Sequence, residues 1–175
     1  MESIEWLLVD GYNLLYGWRK NRCAIEDARE DLLQHLMEYS GYHSLKTIVV
    51  FDGQGSLAET DRRAELLSVV YTASFETADQ WIEKKTSQLC KEGWRVRVVT
   101  SDSAEQQHIF GSGALRVPVR EMIFEMTQLA ESLKKDKKAR KQELVRSEIF
   151  GRLDGDIAKK LEKMRFAKKE DSADS

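Results

Sequence analysis

Three aspartates follow apolar runs with the length of buried strands: Asp10 after residues 4–9, Asp52 after residues 47–51 and Asp102 after residues 95–100. In an open parallel sheet, ligands bind beyond the carboxyl ends of the strands, near the point where strand order reverses. Three acids gathered there repel one another unless a cation holds them. A hard divalent ion such as Mg2+ or Mn2+ takes oxygen ligands of this kind and keeps several waters. Asp79 joins the set, because Thr77-Ala-Asp-Gln80 reads as a capping box that starts a helix at the same end of the sheet. Glu83 follows four residues later on the same helix face, where like charges are mildly destabilising without metal or solvent between them. A turn or a helix dipole explains any one of these acids alone. It does not explain four at matching topological positions.

The elements that must position these acids alternate. The pattern predicts strands at residues 4–9, 47–51, 95–100 and 115–119, and in residues 64–71 Leu66, Leu67, Val69, Val70 and Tyr71 allow a further strand after a short helix begun near Asp61. Helices are predicted over residues 24–39, from Thr77 to a stop at Gly93, and from near Ser103 to Gly111 and Gly113. Pro118, the only proline, assigns the last strand to an edge. Beyond Arg120 the pattern is helical almost to the end, with an interruption expected at residues 151–155. Such alternation implies an α/β fold with an open, mostly parallel, three-layer sheet. The expected organisation is a domain over residues 1–120, a basic helical extension over 121–170 and a disordered tail over 171–175.

Composition narrows the classes. With 175 residues, 41% hydrophobic and 33% charged, the chain can bury a full core without disulfides. Two cysteines, Cys23 and Cys90, with no C-x-x-C pair, exclude a disulfide scaffold and a zinc cluster. No run is long enough for a membrane helix, and Glu2 and Glu5 replace the basic start of a secretory signal, so a cytoplasmic protein is expected. The net charge of −2 hides an asymmetry. Residues 1–130 hold 14 Lys and Arg against 20 Asp and Glu, whereas residues 131–170 hold 14 against 8. Lys134, Lys135, Lys137, Lys138, Arg140 and Lys141 concentrate that excess. An acidic body with a basic extension suits a protein that binds metal in one place and a polyanion in another.

The residues around Asp10 carry a more specific signal. Leu8-Val-Asp-Gly-Tyr-Asn-Leu14 resembles the first-strand signature of NYN domains, which belong to the PIN-like nuclease superfamily. Val50-Phe-Asp-Gly53, Thr77-Ala-Asp-Gln-Trp-Ile-Glu83 and Val99-Thr-Ser-Asp102 follow in the order of that family. The resemblance covers residues 4–120 and looks closest to the small bacterial YacP-like, ribosome-associated endoribonucleases. It implies a Mg2+- or Mn2+-dependent endoribonuclease acting on mRNA at translating ribosomes. Carried onto this chain, Asp10, Asp79 and Asp102 would be the metal-binding core, and Asn13 would orient a ligand or the scissile phosphate. Asp52 and Glu83 would be further metal ligands in some arrangements.

Trp18, Arg19, Lys20 and Arg22, close behind the first motif, could stack on an RNA strand and neutralise it. Metal-assisted hydrolysis needs no histidine, and His35, His43 and His108 form no recognisable acid–base arrangement. Gly53-Gln-Gly55-Ser-Leu-Ala58 matches a dinucleotide-binding pattern, but it follows the second strand and Asp52 would face the pyrophosphate, so no nucleotide cofactor is expected. The rival is a catalytically silent RNA- or ribosome-binding module on the same scaffold.

Overall fold

The apolar runs pair side by side. A computed structural model describes residues 5–18, 24–55, 59–100 and 113–170; the side chains of residues 54, 146–156, 158, 159 and 161–170 are outside the description. Strand β1 (Glu5–Asp10) leads directly into helix α1 (Gly11–Trp18), followed by α2 (Ile25–His43) and β2 (Lys46–Gly55). Next come β3 (Glu59–Arg62), β4 (Leu67–Ala73), α3 (Ala78–Lys91), β5 (Arg95–Thr100), β6 (Leu115–Pro118) and α4 (Val119–Glu170).

The six strands lie in the order β3-β4-β2-β1-β5-β6. All neighbours are parallel except β3, which runs antiparallel to β4 at one edge. The chain builds outward from β1 through β2 to β4, then returns to place β5 on the other flank of β1. The reversal of strand order therefore falls beside β1, whose last residue is Asp10.

Alternate residues feed two cores, as strand geometry requires. Leu7, Val9, Val49, Phe51, Val69 and Val99 face α1, α2 and the start of α4. Leu8, Ile48, Val50, Val70, Val96 and Val98 face α3. Helices on both faces give the three layers expected for this α/β fold. The chain divides into two compact units at Ala130–Glu131, ten residues beyond the expected boundary and inside α4. The second unit contributes one long helix.

Several expectations need correction. Residues around Asp61 form the antiparallel strand β3 instead of a helix; Thr60, Asp61 and Arg62 pair with Val70, Val69 and Ser68. Strand β2 does not stop at Asp52-Gly53 but runs to Gly55 through a register shift between Phe51 and Gly55. Gly53 makes this possible, since a Cβ there would stand 2.0 Å from the Thr72 carbonyl oxygen. Helix α4 continues through Gly151 and Gly155 without a break, each glycine costing only about 1 kcal/mol in a helix interior. The helix expected from Ser103 and the tail at 171–175 lie outside the described residues.

Candidate active site

Asp10 ends β1 with no intervening loop, because α1 starts at the next residue. Gly11 permits this junction: a Cβ there would meet the Phe51 ring at 2.5 Å. The first turn of α1 then brings Asn13 back onto the aspartate. Its backbone N–H donates to Asp10 Oδ1 at 3.1 Å and its carboxamide Nδ2 donates to Oδ2 at 2.7 Å. Both carboxylate oxygens are thus oriented by one residue three positions away.

Asp52 reaches α3 from the bulged end of β2. Its Oδ1 accepts the Ala78 N–H at 2.6 Å, satisfying one of the orphan donors of the helix start. The expected capping box is present beside it: Thr77 Oγ1 accepts from Gln80 N at 3.2 Å, and Gln80 Oε1 accepts from Thr77 N at 3.1 Å. These bonds fix the first turn of α3, where the carboxylate of Asp79 is exposed.

Electrostatics tie the three acids together. Burial holds the Asp10 carboxyl above the ordinary carboxylate pKa, the two Asn13 hydrogen bonds oppose that shift, and the charges of Asp52 and Asp79 add to it. The charges of Asp52 and Asp79 are thus felt at Asp10, which ends β1 beside the switch point. Glu83, one turn along α3, is exposed. Asp102 lies outside the described residues, and among those described no three acids, histidines or cysteines, Asp10, Asp52 and Asp79 included, stand close enough together to hold a metal ion by themselves. The oxygen donors present nonetheless match a hard divalent cation. A half-buried carboxylate destabilised by two like charges is what such an ion would relieve.

The remaining expected contacts divide. Trp18 packs against the core, its indole Nε1 donating to Asp31 Oδ2 at 2.8 Å and its ring 4.8 Å from that of His35. Arg19, Lys20 and Arg22 lie outside the described residues. Lys134, Lys135, Lys137, Lys138, Arg140 and Lys141 are all exposed on α4, as are Leu144, Val145 and Ile157. Sequence reasoning overlooked Phe75. It is 81% exposed in the turn between β4 and α3, two residues before the cap that carries Asp79. The available signal was an aromatic residue in a Ser-Phe-Glu turn, where no strand or helix period calls for one.

Comparison with known proteins agrees with this fold. The model of the YacP-like NYN domain matches residues 7–166. The uncharacterized protein YacP of Bacillus subtilis strain 168 is 36% identical over 140 residues, covering 75% of this chain and 81% of that protein. The crystal structure of Rae1 (YacP) from Bacillus subtilis matches with a TM-score of 0.66 at 34% identity, over 91% of this chain and 93% of that one. A mutant of the same protein gives a TM-score of 0.62 at 37% identity, over 75% and 80% of the two chains. The chain belongs to the YacP-like NYN family, a nuclease-type domain whose match extends over residues 7–166.

Proposed function

We propose that this protein is a metal-dependent endoribonuclease that hydrolyses RNA phosphodiester bonds, with mRNA on translating ribosomes as its substrate. The observation that supports the reading is Asp10 itself: it ends β1 beside the switch point, is half-buried, is held through both carboxylate oxygens by Asn13, and is acted on by the charges of Asp52 and Asp79. Asp10, Asp79 and Asp102 would hold Mg2+ or Mn2+, with Asp52 or Glu83 as further candidates. Such an ion lowers the pKa of an attacking water and neutralises phosphate charge.

The protein's own groups do the positioning. Asn13 locks the orientation of the Asp10 carboxylate, and Asp52 with Thr77 locks the turn that presents Asp79. Phe75, exposed in the turn that leads into α3, would offer a stacking surface for an unpaired base. The exposed cations of residues 134–141 supply phosphate contacts on the extension. Histidine chemistry has no place in the scheme. His35 contacts the Asp31 carbonyl oxygen and Trp18, and His43 packs against Tyr39 and Tyr42.

The test is RNA cleavage with Mg2+ or Mn2+, with and without ribosomes, comparing wild type with Asp10→Asn. Cleavage by wild type alone, leaving 5′-phosphate and 3′-hydroxyl ends, supports the reading. Specific ribosome or RNA binding with no cleavage under any condition would instead identify a silent binding module. Ends bearing 2′,3′-cyclic phosphate would show attack by the 2′-hydroxyl of the RNA and overturn the proposed chemistry.

A further inference from the structure

Among the described residues, α3 covers only part of the sheet face it packs on. Six strands about 4.8 Å apart span roughly 24 Å between outer axes, whereas a helix with its side chains is only about 10 Å across. Among the described residues α3 is the only helix whose core contacts lie on this face. Beside it, over β1, β2, β4 and β3, a cavity of about 400 Å3 remains, within the size range of small-ligand sites. Strand register builds its floor: Ile48 pairs with Ser68, and Ser68 with Arg62, all three lining the cavity.

Its walls are aromatic and cationic. Trp6 at the start of β1 and Trp81 on α3 both line it, and both are only partly buried. Lys46 Nζ sits 5.3 Å from the centre of the Trp6 ring. Arg62 and Lys85 complete three cations against a single lining acid, Glu65. Among the described residues no carboxylate pairs with any of the three, and Lys85 Nζ bonds only to Gln88 Oε1, at 3.2 Å. The Trp6 indole N–H is buried without an acceptor among the described residues. Two indoles and three cations without carboxylate partners among the described residues make an unusual lining for a surface with no ligand.

We propose that this cavity binds a nucleotide unit, its planar base against the indoles and its phosphate against Lys46, Arg62 and Lys85. The unit is either a free nucleotide or one residue of an RNA strand, and the chemistry of recognition is the same for both. This site is separate from the acidic one. Trp81 lies about 200° round the helix from Asp79, and Lys85 about 200° from Glu83, so the two pairs occupy opposite flanks of α3. Trp6 is four residues before Asp10 on β1, about 13 Å toward the amino end. The proposal stands whether or not the acids perform catalysis.

The test uses the full-length protein and the four tryptophan indole N–H signals of a nitrogen-15 NMR spectrum. Titration with AMP should shift the Trp6 and Trp81 signals and leave Trp18 and Trp94 unchanged. Adenosine should bind about tenfold more weakly than AMP, because it lacks the phosphate. The double substitution Arg62→Gln with Lys85→Gln should weaken AMP by about the same factor while the other indole signals certify the fold. Asp10→Asn should bind AMP as wild type does, which separates failure here from failure of the nuclease reading. A hexa-adenylate shifting the same signals at lower concentration than AMP identifies an RNA subsite, and the reverse order identifies a free-nucleotide site. Unmoved Trp6 and Trp81 signals with both ligands at millimolar concentration overturn the proposal, as does AMP affinity unchanged by the double substitution.

Discussion

The acids of the first unit and the cations of the second are assembled in opposite ways. Asp10, Asp52 and Asp79 come from β1, β2 and α3, and only the fold lets the charges of the last two act on the first. Lys134, Lys135, Lys137, Lys138, Arg140 and Lys141 are near neighbours in sequence, and a single helix displays them. Charge gathered by a fold needs support: Asn13 on Asp10, a helix start against Asp52, and glycines at positions 11 and 53 where any side chain would collide. Charge displayed by a helix needs none. Substitutions in the first unit should therefore change chemistry or stability, and those in the second should change affinity.

The largest expected effect would break the comparison if it failed. Asp10→Asn and Asp79→Asn should each reduce RNA cleavage more than about 100-fold, beyond the loss usual for residues that only support a ligand. Single-turnover assays check this, and activity within tenfold of wild type would remove these acids from the site.

Next in size is Gly53→Ala. Its Cβ would collide with backbone, so neither side can yield cheaply, and a loss of about 3 kcal/mol is expected in urea unfolding. A loss below about 0.5 kcal/mol would mean that the bulge beneath Asp52 is adaptable.

The extension supplies the contrast. Replacing Lys134, Lys135, Lys137 and Lys138 by Gln should weaken RNA or ribosome binding and flatten the slope of log affinity against log salt. For a single strand, the slope should fall by roughly 0.7 for each phosphate that is no longer neutralised. Turnover at saturating substrate should stay close to wild type. A collapse of saturated turnover would place the cluster in the catalytic machinery.

The smallest effect lies at the root of α4, which belongs to the first unit. The Tyr39 hydroxyl donates to Glu125, and Arg97 donates to both, at 3.3 Å to Tyr39 and 3.4 Å to Glu125. Burial, reinforced by Glu125, pushes the Tyr39 hydroxyl up to about 12. The folded state thus holds this proton where the unfolded state has lost it. Its stabilising contribution is complete below the unfolded value near 10 and disappears as pH rises toward 12. Thermal melts between about pH 9 and 12 should show a decline on the order of 1 kcal/mol that Tyr39→Phe abolishes. An equal decline in the variant would assign it to other groups.

How much of this was legible in the sequence follows from how local each signal is. The strands ending near Asp10 and Thr100, the Thr77–Gln80 capping box and the edge strand at Pro118 each carry their cause within a few residues, and each is present, whereas the end of β2 is set by its bulged pairing with β4. Helix α1 has no such marker. It starts at a glycine, with no acidic residue in its first turn, and is held by packing on the sheet. Strand β3 is exposed and highly charged, so its Glu-Thr-Asp-Arg sequence shows no alternation and only the partner β4 defines it. Asp52 was legible as an acid at a strand end, but its bond to Ala78 links residues 26 apart. The cavity beside α3 was illegible for the same reason, since Trp6, Lys46, Arg62 and Lys85 are scattered along the chain.

The central claim is that Asp10 is a metal ligand kept charged at the expense of stability, and melting curves test it most directly. Burial and like charges favour the neutral form, so ionised Asp10 costs the metal-free protein stability at neutral pH. In EDTA at about pH 7, Asp10→Asn should melt at or above the wild-type temperature. Added Mn2+ should then raise the wild-type melting temperature progressively and leave that of Asp10→Asn unchanged. A variant that melts well below wild type in EDTA, and gains as much as wild type from Mn2+, would make Asp10 a structural residue and contradict the account.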